Sequence, residues 1–157
     1  MSRMEQQVGK HGQQQAASYL AGLGLEMVEP IGTPVTLIPF GLRKDAFRVI
    51  FGEKVSGDHR ALLPDGSSVL IETKTVYDGN LTYGHLREHQ PDRLSRHASI
   101  GRAVSLLVWV HHSGIYVMRW TPNGIGGFGF RKSITPERAR QLHDECMEYL
   151  TGRMSKK

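Results

Sequence analysis

Cysteine is nearly absent from this 157-residue chain: Cys146 stands alone. One thiol per chain excludes an internal disulfide framework and a thiolate zinc cage. Its place in an apolar helical pattern marks it as a buried structural thiol. Long apolar runs are also missing, which argues against a membrane-spanning helix. The opening Met1-Ser2-Arg3-Met4-Glu5-Gln6-Gln7 is too polar for a secretory signal, so an intracellular, cytoplasmic location is expected. Acidic residues are the minority charge, 15 against 20 Lys and Arg, for a formal charge of +5. A basic balance suits a polyanionic partner, nucleic acid first, or simply a soluble basic protein. The length fits one domain, residues 1–157, with a real core.

Apolar spacing predicts a first helix over residues 4–23, with Val8, Ala16, Tyr19, Leu20 and Leu23 on its stripe. Leu25 to Val28 reads as a short strand. Pro30, Gly32, Pro34, Pro39 and Gly41 punctuate an extended excursion, residues 31–46 of which form a short protruding arm. Strands are expected at Phe47–Phe51, Asp58–Leu63 and Ser68–Thr75, the last two joined by a Pro64-Asp65-Gly66 turn. A helix follows from about Leu86 to Ile100, with Pro91 tolerable only in its first turn. Ala103–His111 and Ile115–Trp120 read as a hairpin, with His111 and His112 exposed at its turn. Residues 121–134 read as a flexible glycine-rich loop. The C-terminal helix, 135–152, opens on Thr135 as N-cap and Pro136 at the first helical position. The pattern is that of an α/β fold with a mixed sheet flanked by helices.

Chemistry concentrates between Asp58 and Lys74. Residues two apart on a strand share a face, so Glu72 and Lys74 point together. The hairpin brings Asp58 toward them. Two carboxylates and an amine on one surface suit a divalent cation and a positioned water. A hard cation such as Mg2+, with Mn2+ as a substitute, takes oxygen ligands from Asp58, Glu72 and the Thr73 backbone carbonyl. Lys74 can orient the nucleophile or hold a phosphate through charge-assisted hydrogen bonds. A surface salt bridge is the plain alternative for a Glu-x-Lys triplet.

Other features weigh less. Gly124-Ile125-Gly126-Gly127-Phe128-Gly129 matches the dinucleotide fingerprint formally, but no helix opens from it. His85 and His89 lie four apart without a second metal-spaced pair. Trp109 and Trp120 fall in strand patterns and read as core.

Asp58 followed by Glu72-Thr73-Lys74 resembles the signature of the PD-(D/E)xK nuclease superfamily. Pro30-Ile31-Gly32-Thr33-Pro34-Val35, Val55-Ser56-Gly57-Asp58 and Leu86-Arg87-Glu88-His89-Gln90 are similar, in order and spacing, to segments of RecU-type Holliday junction resolvases. The resemblance spans roughly residues 9–120. It implies a restriction-endonuclease-like core, a divalent metal, and a homodimer that cuts four-way DNA junctions in recombination and repair. By position it implies metal ligands at Asp58 and Glu72, a catalytic lysine at Lys74, and Gln90 beside the active site. The chain departs from the family in its first helix, where Gln13 stands in place of a glutamate four residues after Gly9. Gln13 is therefore a further candidate ligand that has lost the charge. Candidate DNA contacts are Arg43 and Lys44 on the arm, with Lys54, Arg60, Arg87 and Arg93; a solvated charged face is the alternative. Two other functions stay open. One is a nuclease of the same superfamily acting on flaps, breaks or duplex. The other is a DNA-binding module without catalysis.

Overall fold

The computed structural model describes residues 2–31, 35–39, 47–51, 58–125 and 133–155. Helix α1 spans Arg3–Gly22. Ser2 and Glu5 start it with a reciprocal capping box: the Ser2 hydroxyl accepts the Glu5 N–H and the Glu5 carboxylate accepts the Ser2 N–H. It ends where Gly24 takes φ +103°, a conformation glycine adopts without strain. Its buried positions, Gly12, Ala16 and Leu20, recur every four residues and face the sheet.

Six strands form the main sheet in the order β1-β4-β5-β6-β7-β8. They are β1 (Glu26–Pro30), β4 (His59–Leu62), β5 (Ser68–Thr75), β6 (Val104–His111), β7 (Gly114–Thr121) and β8 (Gly124–Ile125). A separate antiparallel pair joins β2 (Val35–Pro39) to β3 (Phe47–Phe51). β5 and β6 run parallel, and every other pairing in the main sheet is antiparallel. The parallel step requires a crossover, supplied by a 3-10 turn at Tyr83–His85 and helix α2 (His89–Ala98). Helix α3 (Pro136–Met154) closes the fold, and Thr135 caps it by accepting the Arg138 N–H. Among the described residues the architecture is α/β, a six-stranded mixed sheet flanked by three helices. It is compatible with a restriction-endonuclease-like core.

β6 is buried at all eight positions, as a central strand covered on both faces must be. One apolar cluster joins Ala16 and Leu20 of α1 to Val69, Ile71, Leu106 and Val108, and takes in Cys146 and Leu150 of α3. The other joins Leu94 of α2 to Leu107, Trp109, Met118 and Trp120, with Ala139 and Leu142 of α3. Each large aliphatic side chain so buried contributes about 1.5–3 kcal/mol. Among the described residues no helix is long and apolar enough to cross a membrane.

Several expectations change. Phe47–Phe51 is a strand as expected, but Val35–Pro39, read as part of an extended arm, is also a strand and pairs with it. Residues 32–34 and 40–46 of the expected arm, with Arg43 and Lys44, lie outside the described residues, as does Lys54. Part of the expected loop 121–134 is ordered: Gly124 and Ile125 pair with Thr121 and Trp120. Residues 126–132 lie outside the described residues. The crossover helix begins three residues later than expected, which still puts Pro91 in its first turn. His111 is buried, not exposed. Its Nδ1 takes a hydrogen bond from the Ser113 side, and its ring lies against Trp109.

Candidate active site

The turn Pro64-Asp65-Gly66 folds β4 back on β5, with Gly66 at φ +84° and Asp65 Oδ1 accepting the Ser67 N–H at 2.8 Å. The register pairs His59 with Ile71. Asp58 sits just ahead of His59 and stays tied to the sheet: its N–H donates to the Ile71 carbonyl and its carbonyl accepts the Ile31 N–H. Its carboxylate then reaches the β5 backbone, where Oδ2 accepts the Thr73 N–H at 2.7 Å. Glu72 lies in the buried part of the same strand, 2 % exposed. Lys74, two residues on, brings Nζ to 3.8 Å from Glu72 Oε1. The hairpin thus brings Asp58, Glu72 and Lys74 together, as the strand alternation predicts.

Each carboxylate also meets a glutamine from a different helix. Gln13 of α1 donates Nε2–H to Asp58 Oδ1 at 3.0 Å. Gln90 of α2 donates Nε2–H to Glu72 Oε1 at 2.5 Å, and its own Oε1 accepts the Arg87 backbone N–H at 2.8 Å. That second bond fixes which way the Gln90 amide faces. Gln90 is 7 % exposed, so an unpaired amide there would be costly. Hydrogen bonds to a charged acceptor are the stronger kind, so both amides hold their carboxylates in place.

These groups share a cleft of about 590 Å³. Lys10, Glu5 and Val8 of α1 form one wall, and Arg87 stands at the other. Of the basic residues singled out in the sequence, Arg87 reaches this cleft. Arg60 does not: it points outward from β4 and pairs with Glu29 of β1. Arg93 lies on α2, half-buried and away from the cleft lining. Gly12 and Thr75 were not legible as site-forming residues. A Cβ on Gly12 would lie 1.9 Å from Thr75 Oγ1, so α1 and β5 touch where only glycine fits. The contact sits one residue before Gln13, and it sets where Gln13 meets Asp58.

Among the described residues no cluster of three or more His, Cys, Asp or Glu side chains forms a metal centre. The oxygen set is the Asp58 and Glu72 carboxylates, with amide and backbone oxygens beside them; the third carboxylate of the cleft, Glu5, is engaged in the α1 capping box. Mg2+ keeps several waters and is commonly held by one or two carboxylates, so this donor set fits a hydrated hard cation. It does not suit a zinc site, for which nitrogen and sulfur ligands are wanted.

No family model matches the chain. No curated protein matches it either. Among solved structures, the crystal structure of SSO0001 is similar over 87% of this chain and 58% of that one, at 17% identity and a TM-score of 0.35.

Proposed function

We propose that this protein is a metal-dependent DNA endonuclease, and that its substrate is the four-way junction suggested by the RecU-like order of its motifs. The observation that carries the reading is the convergence of Asp58, Glu72 and Lys74 in one cleft with Lys10 and Arg87 at its walls. Paired carboxylates alone would repel a phosphodiester. The lysine and arginine offset that charge and supply donors to phosphate oxygens.

In this reading Asp58, Glu72 and the Thr73 backbone carbonyl would hold Mg2+. The cation would lower the pKa of a bound water and neutralise charge on the phosphate. Lys74 orients the attacking water or holds the phosphate oxygens as charge builds on them. Gln90, fixed by the Arg87 N–H, keeps Glu72 from turning away. In-line attack forms the new P–O bond from water and breaks P–O3′, leaving a 5′-phosphate and a 3′-hydroxyl. A homodimer would present two such sites to the two opposed strands of a junction. A DNA substrate and a single reduced cysteine suit an intracellular compartment.

A second reading draws on Gln13. An amide on Asp58 Oδ1, where a third carboxylate would complete an acidic centre, fits a DNA-binding module that does not cut. One assay separates the two. A synthetic four-way junction, plain duplex and a flap are incubated with Mg2+, Mn2+ or EDTA, beside Asp58→Asn and Lys74→Ala. Paired symmetric nicks on the junction alone, lost in EDTA and in both variants, are expected. Cleavage favouring duplex or flap removes the resolvase and keeps the nuclease. Salt-sensitive binding with no cleavage under either metal gives the second reading the field.

A further inference from the structure

Two glutamine amides face the two carboxylates, and they are not equivalent. Gln90 is held at both ends: Nε2 donates to Glu72, and Oε1 accepts from the Arg87 N–H. Turning it over would set its NH2 against a backbone donor and its carbonyl against a carboxylate. Gln13 is held at one end. Its Nε2 donates to Asp58 Oδ1, while among the described residues its Oε1 takes no hydrogen bond. Gln13 is also half-buried, on the solvent side of the Gly12–Thr75 contact, in the lining of the open cleft. Among the described residues, the Asp58 carboxylate is what sets which way its amide faces.

That single determinant reverses when a cation arrives. A carboxylate is an acceptor only, so without a cation the amide must present N–H to it. A hard cation on Asp58 repels the N–H and attracts the carbonyl, because its ligands are oxygens. A half-turn of the terminal amide is a soft torsion and exchanges the two atoms without moving α1.

We propose that Gln13 is a cation-responsive ligand: its amide caps Asp58 through Nε2 in the free protein and turns to present Oε1 when a divalent cation binds Asp58 and Glu72. The inference rests on the metal-site reading of this cleft. It assigns the two glutamines opposite behaviour, one turning and one fixed. It also makes residue 13 the position that sets cation affinity. A carboxylate in place of the Gln13 amide would add a full negative charge beside Asp58 and tighten binding.

The test uses the full chain with Mg2+ or Mn2+ alone and no DNA. Side-chain amide signals of Gln13 and Gln90 are identified in nitrogen-15 spectra by their loss in Gln13→Leu and Gln90→Leu. Titration with Mg2+ is expected to move the Gln13 pair to a new saturated position, with the Gln90 pair still bonded to Glu72. Mn2+ affinity is expected to rise at least about tenfold in Gln13→Glu and to fall about tenfold or more in Gln13→Leu. Thermal midpoints without metal confirm that each variant is folded. Gln13 signals that stay in place at Mg2+ saturation, or a folded Gln13→Leu that binds Mn2+ like the unaltered protein, overturn the proposal and leave the metal site standing. Absence of Mn2+ binding in both the unaltered chain and Gln13→Glu overturns the proposal together with the reading beneath it.

Discussion

Gly12 and Thr75 touch so closely that a single methyl on the glycine would overlap the threonine hydroxyl, its carbon only 1.9 Å from Oγ1. The glycine is therefore a packing requirement, set in a helix whose propensity it lowers. Gly12→Ala has two opposed effects. Helix propensity favours alanine by about 1 kcal/mol. Overpacking against a β-branched neighbour costs about 1–3 kcal/mol, and at this separation the second effect wins. Urea denaturation should show a net loss of up to about 2 kcal/mol. Thr75→Ala in the same chain should recover most of it, since it removes the atom that collides. Unchanged stability in Gly12→Ala would show that α1 can lift away at no cost.

Gln90 buttresses Glu72. Gln90→Leu keeps the volume and removes both hydrogen bonds, leaving the Arg87 N–H without its acceptor and Glu72 without its amide partner. In the nuclease reading, junction cleavage should fall about 10²-fold in kcat, on the scale of losing one preorganised donor. Junction binding in EDTA should stay within about twofold, because phosphate contacts set affinity. Equal losses of binding and cleavage would make Gln90 a structural residue.

Acid should weaken the fold in two stages. Burial lowers the pKa of His97, His111 and His143 below the ordinary 6.5; at His111 the neighbouring His112 adds to the effect and Asp78 opposes it. A lowered histidine pKa means the fold prefers the neutral ring. Stability is then full above pH 6.5 and falls as the pH drops toward the folded-state values. Asp65 acts lower down. The Ser67 hydroxyl and N–H, with Arg153 and Arg102, hold its pKa at about 2 against an ordinary 3.8. Its contribution is complete above pH 3.8 and is lost as the pH falls toward 2. Urea midpoints from pH 8 to pH 2 should show both declines. His97→Gln should shrink the first and Asp65→Asn the second. A flat profile down to pH 4 would contradict the histidine assignment.

Cys146 should be inert in the native state. It is 2 % exposed, and burial pushes its thiol up to about 12. Thiolate is the reactive form, so alkylation at pH 8 should be negligible until denaturant opens the chain. Rapid labelling of folded protein would place this face of α3 in contact with solvent.

Much of the site was legible because it is local. The Pro64-Asp65-Gly66 turn and the alternation of β5 are written in consecutive residues, and they alone carry Asp58 to Glu72. The apolar stripe of α3 and the burial of Trp109 and Trp120 follow from periodicity in the same way. What the sequence did not show depended on partners in space. Val35–Pro39 lay inside the expected excursion and is a strand through its pairing with Phe47–Phe51. The Glu29 that meets Arg60 stands on β1, and no spacing along β4 announces it. His111 looked exposed because it adjoins a turn; the rings of Trp109 and Tyr116 and the Ser113 hydroxyl cover it instead. Gly12 gave no signal, since a mid-helix glycine has no marker for what lies across from it.

The span of chain closed by each contact in the cleft differs widely. Asp58 and Thr73 are 15 residues apart, Glu72 and Gln90 are 18, but Gln13 and Asp58 are 45. Longer closures cost more entropy, and α1 reaches the cleft with its first turns largely exposed. Fraying or lifting of the N-terminal half of that helix would strip Asp58 of its amide while the hairpin and the crossover persisted. The protein thus has a built-in order of failure under stress: the acidic cleft comes apart at its α1 wall first, and function at this site should disappear at milder temperature or denaturant than the fold around it.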